Sequence, residues 1–267
     1  MIMNCFNCSK YLREAIDSVY AQTYTDWEIV FWDNASTDNS AEIAKSYDNK
    51  LRYFRGEKNV PLGNARNLAI ESAKGECVAF LDCDDVWLPE KLEKQMKLFD
   101  TKPDVMLVYS DSYFIDSAGN KIKTAFETEK PARGYVFNEL LCRYNFIPLL
   151  TAIIRKEVFI EVGLFNPQYK MAEEYDLFLR IAYPYPIDYV GLPLAKYRIH
   201  DDNFSRNLDV GIKEVFEIMN EWLHKDPEIK KEYGYRIKIK KMKRYAALYI
   251  FYMVKYMHLP KWLAKFY

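Results

Sequence analysis

From Met1 to Phe99 the chain alternates short apolar runs with stretches of helical periodicity, and few architectures accommodate that order. Residues 1–5 read as the end of a strand. Leu12, Ala15, Ile16 and Val19 recur at helical spacing, with Ser9 positioned to cap the helix. Residues 28–32 read as a buried strand, 37–47 as a helix and 51–54 as a third strand. A helix over 63–73 is expected to stop at Gly75, residues 77–81 form a fourth strand, and Pro89 opens a helix reaching Phe99. A helix between two strands returns the chain to the same end of the sheet, so the strands pair in parallel. The expectation is an α/β fold with a mainly parallel sheet flanked by helices and a Rossmann-like first half.

Ligands of such sheets sit beyond the carboxyl ends of the strands. The distinctive polar residues fall there: 4–7 after the first strand, Asp33 after the second, and 82–85 after the fourth. Three carboxylates in four positions, Asp82, Asp84 and Asp85, repel one another. A hard divalent cation with oxygen ligands relieves that repulsion and leaves positions for diphosphate oxygens; a polar loop before Pro89 is the plainer reading. Asp33 is placed either to accept a hydrogen bond from a base N–H or to form an Asx turn. Phe6 is suited to stacking on a base or to ordinary burial. Arg66 can contact phosphate or pair with a carboxylate in the crevice. Glu173, Glu174 and Asp176 open a helix, where acidic side chains suit the dipole; one of them near an acceptor hydroxyl would also serve as a general base. His200 is either a metal or phosphate ligand or a structural histidine.

Beyond Phe99 the pattern changes. Residues 106–115 and 121–126 flank Ser117-Ala118-Gly119-Asn120, a hairpin turn. Helices are expected over 136–143, 156–162 and 175–182, and strands over 149–154 and 189–197. Lys and Arg total 38 and Asp and Glu 38, so overall charge marks neither a nucleic-acid binder nor a binder of acidic substrates. Cys5-Phe6-Asn7-Cys8 has no second cysteine pair to complete a zinc set, so its thiols read as small buried groups in a reducing, cytoplasmic setting.

These pieces, taken in order, resemble the family 2 glycosyltransferases of GT-A fold. The resemblance is carried by Asn7 to Leu12 (NCSKYL), by Ser18 to Tyr24 (SVYAQTY) and by Glu28 to Asp38 (EIVFWDNASTD). It continues through Gly63 to Asn67, Leu81 to Asp85, Glu173 to Arg180 (EEYDLFLR) and Tyr197 to His200. It implies a nucleotide site of Asn4, Phe6, Asp33, Arg66 and Asp82. It implies a Mn2+ or Mg2+ ion at Asp84, with His200 reaching metal or diphosphate, and Glu174 as catalytic base. The implied reaction is an inverting sugar transfer to a glycan or lipid-linked hydroxyl, with a UDP-sugar the first choice of donor. Residues 1–205 would be the catalytic domain, with 1–110 binding the nucleotide sugar and 111–205 shaping the acceptor side. Only Met1-Ile2-Met3 precedes Asn4, where the family has a longer apolar strand. Asn4 stands for a frequent proline, Phe6 for a frequent tyrosine and Glu174 for a frequent aspartate.

Residues 206–267 form a helical extension. No acidic residue follows Glu232, and 236–267 hold nine Lys and Arg among aromatic and aliphatic residues. Such a segment either lies on an anionic membrane surface, making the protein peripheral on the inner face, or packs on the catalytic domain. Two rivals remain. A sugar-nucleotide nucleotidyltransferase needs a Gly-rich loop near the first strand, and no glycine precedes Gly56. The other rival is a non-catalytic membrane-associated sugar-nucleotide-binding protein.

Overall fold

The computed structural model describes residues 1–143, 145–201, 203 and 208–256, with backbone alone for 208 and 245–256. Strand β1 (Ile2–Cys5) leads into α1 (Ser9–Tyr20), β2 (Ile29–Asp33), α2 (Ser40–Lys45), β3 (Leu51–Arg55) and α3 (Leu62–Ser72). The three strands pair in parallel in the order β1-β2-β3, with Cys5 opposite Asp33 and Asp33 opposite Arg55. Next come β4 (Cys77–Ala79), β5 (Val86–Trp87), α4 (Lys91–Thr101), β6 (Leu107–Ile115) and β7 (Lys121–Thr124). Helices α5 (Ala125–Thr128) and α6 (Phe137–Arg143), strand β8 (Ile153–Arg155), α7 (Val158–Val162), α8 (Glu173–Ala182) and β9 (Ile187–Arg198) follow. The second sheet runs β4-β8-β6-β9-β5, with β7 on the outer end of β6. A parallel bridge from Ile2 to Phe80, with Leu81 N–H donating to the Ile2 carbonyl at 3.1 Å, joins the two sheets. The order is therefore parallel from β3 to β4. It turns mixed beyond, because β8 runs against both β4 and β6.

Alternation along β1 sets the layers. Met1, Met3 and Cys5 face one core with Leu12, Ile16 and Val19 of α1 and Phe99 of α4. Ile2 faces the other, with Ala69 and Ile70 of α3 and the aliphatic face of α8. Each fully buried aliphatic side chain here contributes about 1.5–3 kcal/mol.

Several element ends differ from the sequence expectation, each for a local reason. Ser9 is the first residue of α1 rather than its cap; Ser40 Oγ accepts the Cys8 N–H at 3.1 Å and Asp38 the Ser9 N–H at 3.0 Å. Helix α2 starts only at Ser40, because Asp33, Asn7 and Asp38 take the N–H groups of Ser36, Thr37 and Ser40. Helix α3 stops at Ser72 with Ala73 extended, and Glu28 rather than a left-handed glycine receives the Lys74 and Gly75 N–H groups. Pro89 lies in the turn before α4. Residues 149–151 form a 3-10 turn instead of a strand start, since Thr151 Oγ1 donates back to the Pro148 carbonyl at 2.8 Å. The hairpin turn is as expected: Asp116 accepts the Ala118 and Asn120 N–H groups and Gly119 sits at φ 88°.

Helices α9 (Leu208–Lys225) and α10 (Pro227–Tyr256) close the described chain. Phe216, Met219 and Trp222 of α9, with Ile229, Tyr233 and Ile237 of α10, bury into the same core as α6 and α8. No helix among the described residues is long and apolar enough to cross a membrane.

Candidate active site

Parallel pairing brings the ends of β1, β2 and β3 to one edge, and the bridge at Phe80 delivers the acidic loop 82–85 to the same edge. Asp33 is fully buried there. Its Oδ1 accepts the Ser36 N–H at 2.7 Å, and its Oδ2 accepts from Tyr53 Oη at 2.5 Å and Arg55 Nη1 at 2.6 Å. Burial alone would raise its carboxyl, but the Tyr53 and Ser36 hydrogen bonds and the Arg55 charge outweigh it and hold the group below the usual range. The Asx-type turn is thus present. Phe6 is exposed at the end of β1. Asn4 and Trp32 sit opposite each other on β1 and β2, and Asn4 Nδ2 and Trp32 Nε1 are both buried donors without a protein partner. Buried donors are seldom left unmet, which makes this pair a polar exception among the apolar neighbours of β1 and β2.

In the acidic loop, Asp82 is the most open carboxylate and Asp84 is half-buried. His200 Nε2 lies 2.8 Å from Asp84 Oδ2. Asp85 is turned inward, accepting the Arg198 N–H at 2.8 Å. Burial and then the charge of Asp82 push the Asp84 carboxyl up; burial, Asp84 and Asp82 push Asp85 well above its ordinary range. This surplus of negative charge, presented as carboxylate oxygens with one imidazole, fits a hard or borderline divalent cation. Asp84 and His200 would hold it from the protein side.

Arg66 comes from α3 and is 4% exposed. Its Nη1 meets Glu173 Oε1 at 2.6 Å and its Nη2 meets Asp82 Oδ1 at 3.3 Å. Of the two readings open for Arg66, the protein pairs it with carboxylates. That bridge ties the acidic loop to the start of α8. The three acids of α8 then separate: Glu173 is committed to Arg66, and Asp176 accepts Arg180 Nη2 at 2.7 Å and Nε at 3.0 Å. Glu174 makes no side-chain hydrogen bond or ion pair with another of the described residues. Burial, and then the neighbouring Glu173, push its carboxyl up to about 8.

The family model for glycosyl transferase family 2 matches residues 1–163, well over half the chain. The chain belongs to this family. An uncharacterized glycosyltransferase of Methanocaldococcus jannaschii is 33% identical over 81% of this chain and 76% of its own length. An uncharacterized glycosyltransferase of Rickettsia felis is 32% identical over 84% of this chain, which spans only 38% of that longer relative. The Escherichia coli UDP-Glc:alpha-D-GlcNAc-diphosphoundecaprenol beta-1,3-glucosyltransferase is 26% identical, covering 84% of this chain and 85% of its own. Among solved structures, S. aureus TarS residues 1–349 in complex with UDP-GlcNAc matches with TM-score 0.70 and 21% identity, over 91% of this chain and 71% of that one. The mannosyltransferase PcManGT from Pyrobaculum calidifontis, in complex with GDP-Man and Mn2+, matches with TM-score 0.63 and 16% identity, over 90% and 68%. These likenesses establish the GT-A fold.

The candidate site contains residues to which the sequence alone assigned no role. Arg198, 3% exposed, donates from Nε to the Asp84 carbonyl at 2.9 Å and pairs with Glu14 at 2.7 Å, pinning the acidic loop to α1. It stood inside the Tyr197 to His200 motif, but nothing in the sequence named its partners. Trp32, read only as strand core, has a buried Nε1 donor with no partner among the described residues. Asp85 proves to be a backbone anchor for β9. A separate cavity of about 660 Å³, lined in part by Ile70, Arg155, Phe159 and Ile160, shares no residue with this transferase site.

Proposed function

We propose that this glycosyltransferase is a hexosyltransferase that moves a sugar with inversion from a nucleotide diphosphate donor, UDP-linked first, to a hydroxyl of a glycan or lipid-linked acceptor in cell-surface glycan synthesis. The reading rests on the chain of contacts Asp82–Arg66–Glu173, which ties the start of α8, where Glu174 lies, to the acidic loop whose Asp84 meets His200 from beyond β9. Asn4, Trp32, Asp33 and Phe6 form the base end: two donors for carbonyl oxygens, a carboxylate for an N–H, and a ring for stacking. Asp84 and His200 would hold Mn2+ or Mg2+, which would supply Lewis-acid stabilisation of the departing diphosphate. Glu174 takes the proton from the acceptor hydroxyl as its oxygen bonds to the anomeric carbon and the bond to diphosphate breaks, so no covalent enzyme intermediate forms. The relative that acts on an undecaprenyl-diphosphate-linked acceptor supports the class of acceptor.

Calorimetry with UDP, dTDP and GDP, with and without manganese, tests the donor site. One nucleotide is expected to bind only with metal, and Asp84→Ala is expected to remove the metal dependence while the fold stays intact. Metal-independent binding equal in both proteins would overturn the assignment of Asp84.

A membrane-linked acceptor also accords with α10, which exposes Tyr235, Arg236, Lys238, Met242 and Lys243 on the side away from buried Tyr233 and Ile237. Full-length protein is expected to float with vesicles containing anionic lipid and to stay behind with zwitterionic ones. Lys238→Glu with Lys243→Glu should lower the bound fraction, each charge counting for about 1 kcal/mol near the surface. Equal flotation of wild type and variant would remove the membrane from the proposal.

A further inference from the structure

The turn after β1 and the acidic loop share a second chemistry that the transfer reaction does not use. Asn7 adopts φ 55°, a left-handed turn that folds Cys8 back toward Cys5. The turn is secured by Ser36 Oγ accepting the Asn7 N–H at 3.1 Å and Asn7 Oδ1 accepting the Thr37 N–H at 2.7 Å. Cys83 arrives from the loop between Asp82 and Asp84, its thiol donating to the Asn4 carbonyl at 3.3 Å. The sulfurs of Cys5, Cys8 and Cys83 all lie within 4.8 Å of one another, and theirs is the one such group of metal-ligating side chains among the described residues.

We infer that Cys5, Cys8 and Cys83 form a three-thiolate site for a soft d10 cation of the Zn2+ class, clamping the acidic loop to the end of β1. Zinc–sulfur bonds of about 2.3 Å set sulfurs roughly 3.8–4 Å apart in a tetrahedral or trigonal arrangement. The observed cluster needs to contract by less than about 1 Å to reach that geometry. Cys5 and Cys83 are buried while Cys8 is partly exposed, so the cation has an entry side at Cys8. A bound cation favours the thiolate form of all three sulfurs. Binding releases the thiol protons to solvent. Sulfur ligands separate this site from the oxygen and imidazole ligands of Asp84 and His200, which favour a harder ion. The clamp does not depend on the donor site binding nucleotide.

Cadmium titration of the reduced full-length protein, with magnesium saturating, reads the site through cadmium–thiolate absorption in the ultraviolet. One cadmium per chain is expected, displaced by zinc, with the signal retained in Asp84→Ala and in Cys142→Ser. Cys83→Ser and Cys8→Ser should each weaken binding by more than the roughly 10–100-fold that loss of an outer ligand partner costs. Zinc should also shield Cys8 of the wild-type protein from alkylation, a readout that needs no variant to fold. Absence of thiolate absorption, a signal unchanged in Cys8→Ser, or alkylation of Cys8 at the same rate with and without zinc would overturn the site. A disulfide that forms in air-oxidised protein while the reduced protein takes up no cadmium would do so as well.

Discussion

Replacing Glu174 with glutamine is expected to lower kcat by about 10²–10⁴-fold, the range a positioned general base contributes, while donor affinity stays within about twofold. Glu173 and Asp176 cannot substitute, since each is engaged by an arginine. The pH profile carries the same signature. With the carboxyl raised to about 8, roughly a tenth of Glu174 is ionised at pH 7 in the free enzyme. The base form is the ionised one, so kcat/KM should rise about tenfold per unit below pH 8 and flatten above it. The stability sign is opposite. A folded-state carboxyl raised above its unfolded value of 4.5 leaves the native state with more bound protons across that window, so its contribution falls as pH rises from about 4.5 to 8. Glu174→Gln removes that cost, and its melting temperature at pH 8 should equal or exceed that of wild type. A variant that loses stability together with turnover, or a rate profile flat between pH 6 and 8, would mark Glu174 as structural.

What the sequence made legible was what local pattern encodes. Residues 28–32 and 51–54 are dominated by aliphatic and aromatic side chains, with Glu28 and Arg52 as the exceptions, so β2 and β3 were readable to within a residue. Asp82 and Asp84 stand out because three carboxylates in four positions are costly without a counter-charge. The illegible parts depend on contacts between distant segments. Cys5 and Cys8 looked like a pair without partners because Cys83 is 75 positions further on than Cys8, and only the Ile2–Phe80 bridge brings it near. The choice among Glu173, Glu174 and Asp176 could not be made from helix position, because all three suit a helix start. The proposal of Glu174 rests on where Arg66 and Arg180 reach, to Glu173 and Asp176. Residues 149–151 read as strand because their side chains suit one; the Thr151 hydroxyl bond to the Pro148 carbonyl decided otherwise.

Arg66 separates a binding role from a structural one with a large effect on stability. Its guanidinium is buried, and burial alone would disfavour the charge; Asp82 and Glu173 outweigh that cost. Arg66→Met strips the counter-charge from Glu173, which is 2% exposed and whose Oε2 already lacks a partner. Breaking a buried pair from one side costs about 3–5 kcal/mol. At this chain length that lowers the melting temperature by on the order of 10 °C. Arg66→Lys should recover little, because an ammonium lacks the planar fork that meets both carboxylates at once. Arg66→Met with Glu173→Gln should recover much of the loss, since no buried charge is then left alone. Burial already holds the Glu173 carboxyl above its ordinary range with Arg66 beside it. Without Arg66 it takes up a proton more readily, so the single variant should be least impaired in mild acid and most impaired above neutrality. Were Arg66 chiefly a nucleotide ligand, the single variant would keep its melting temperature and lose donor affinity, and the Glu173 change would rescue nothing.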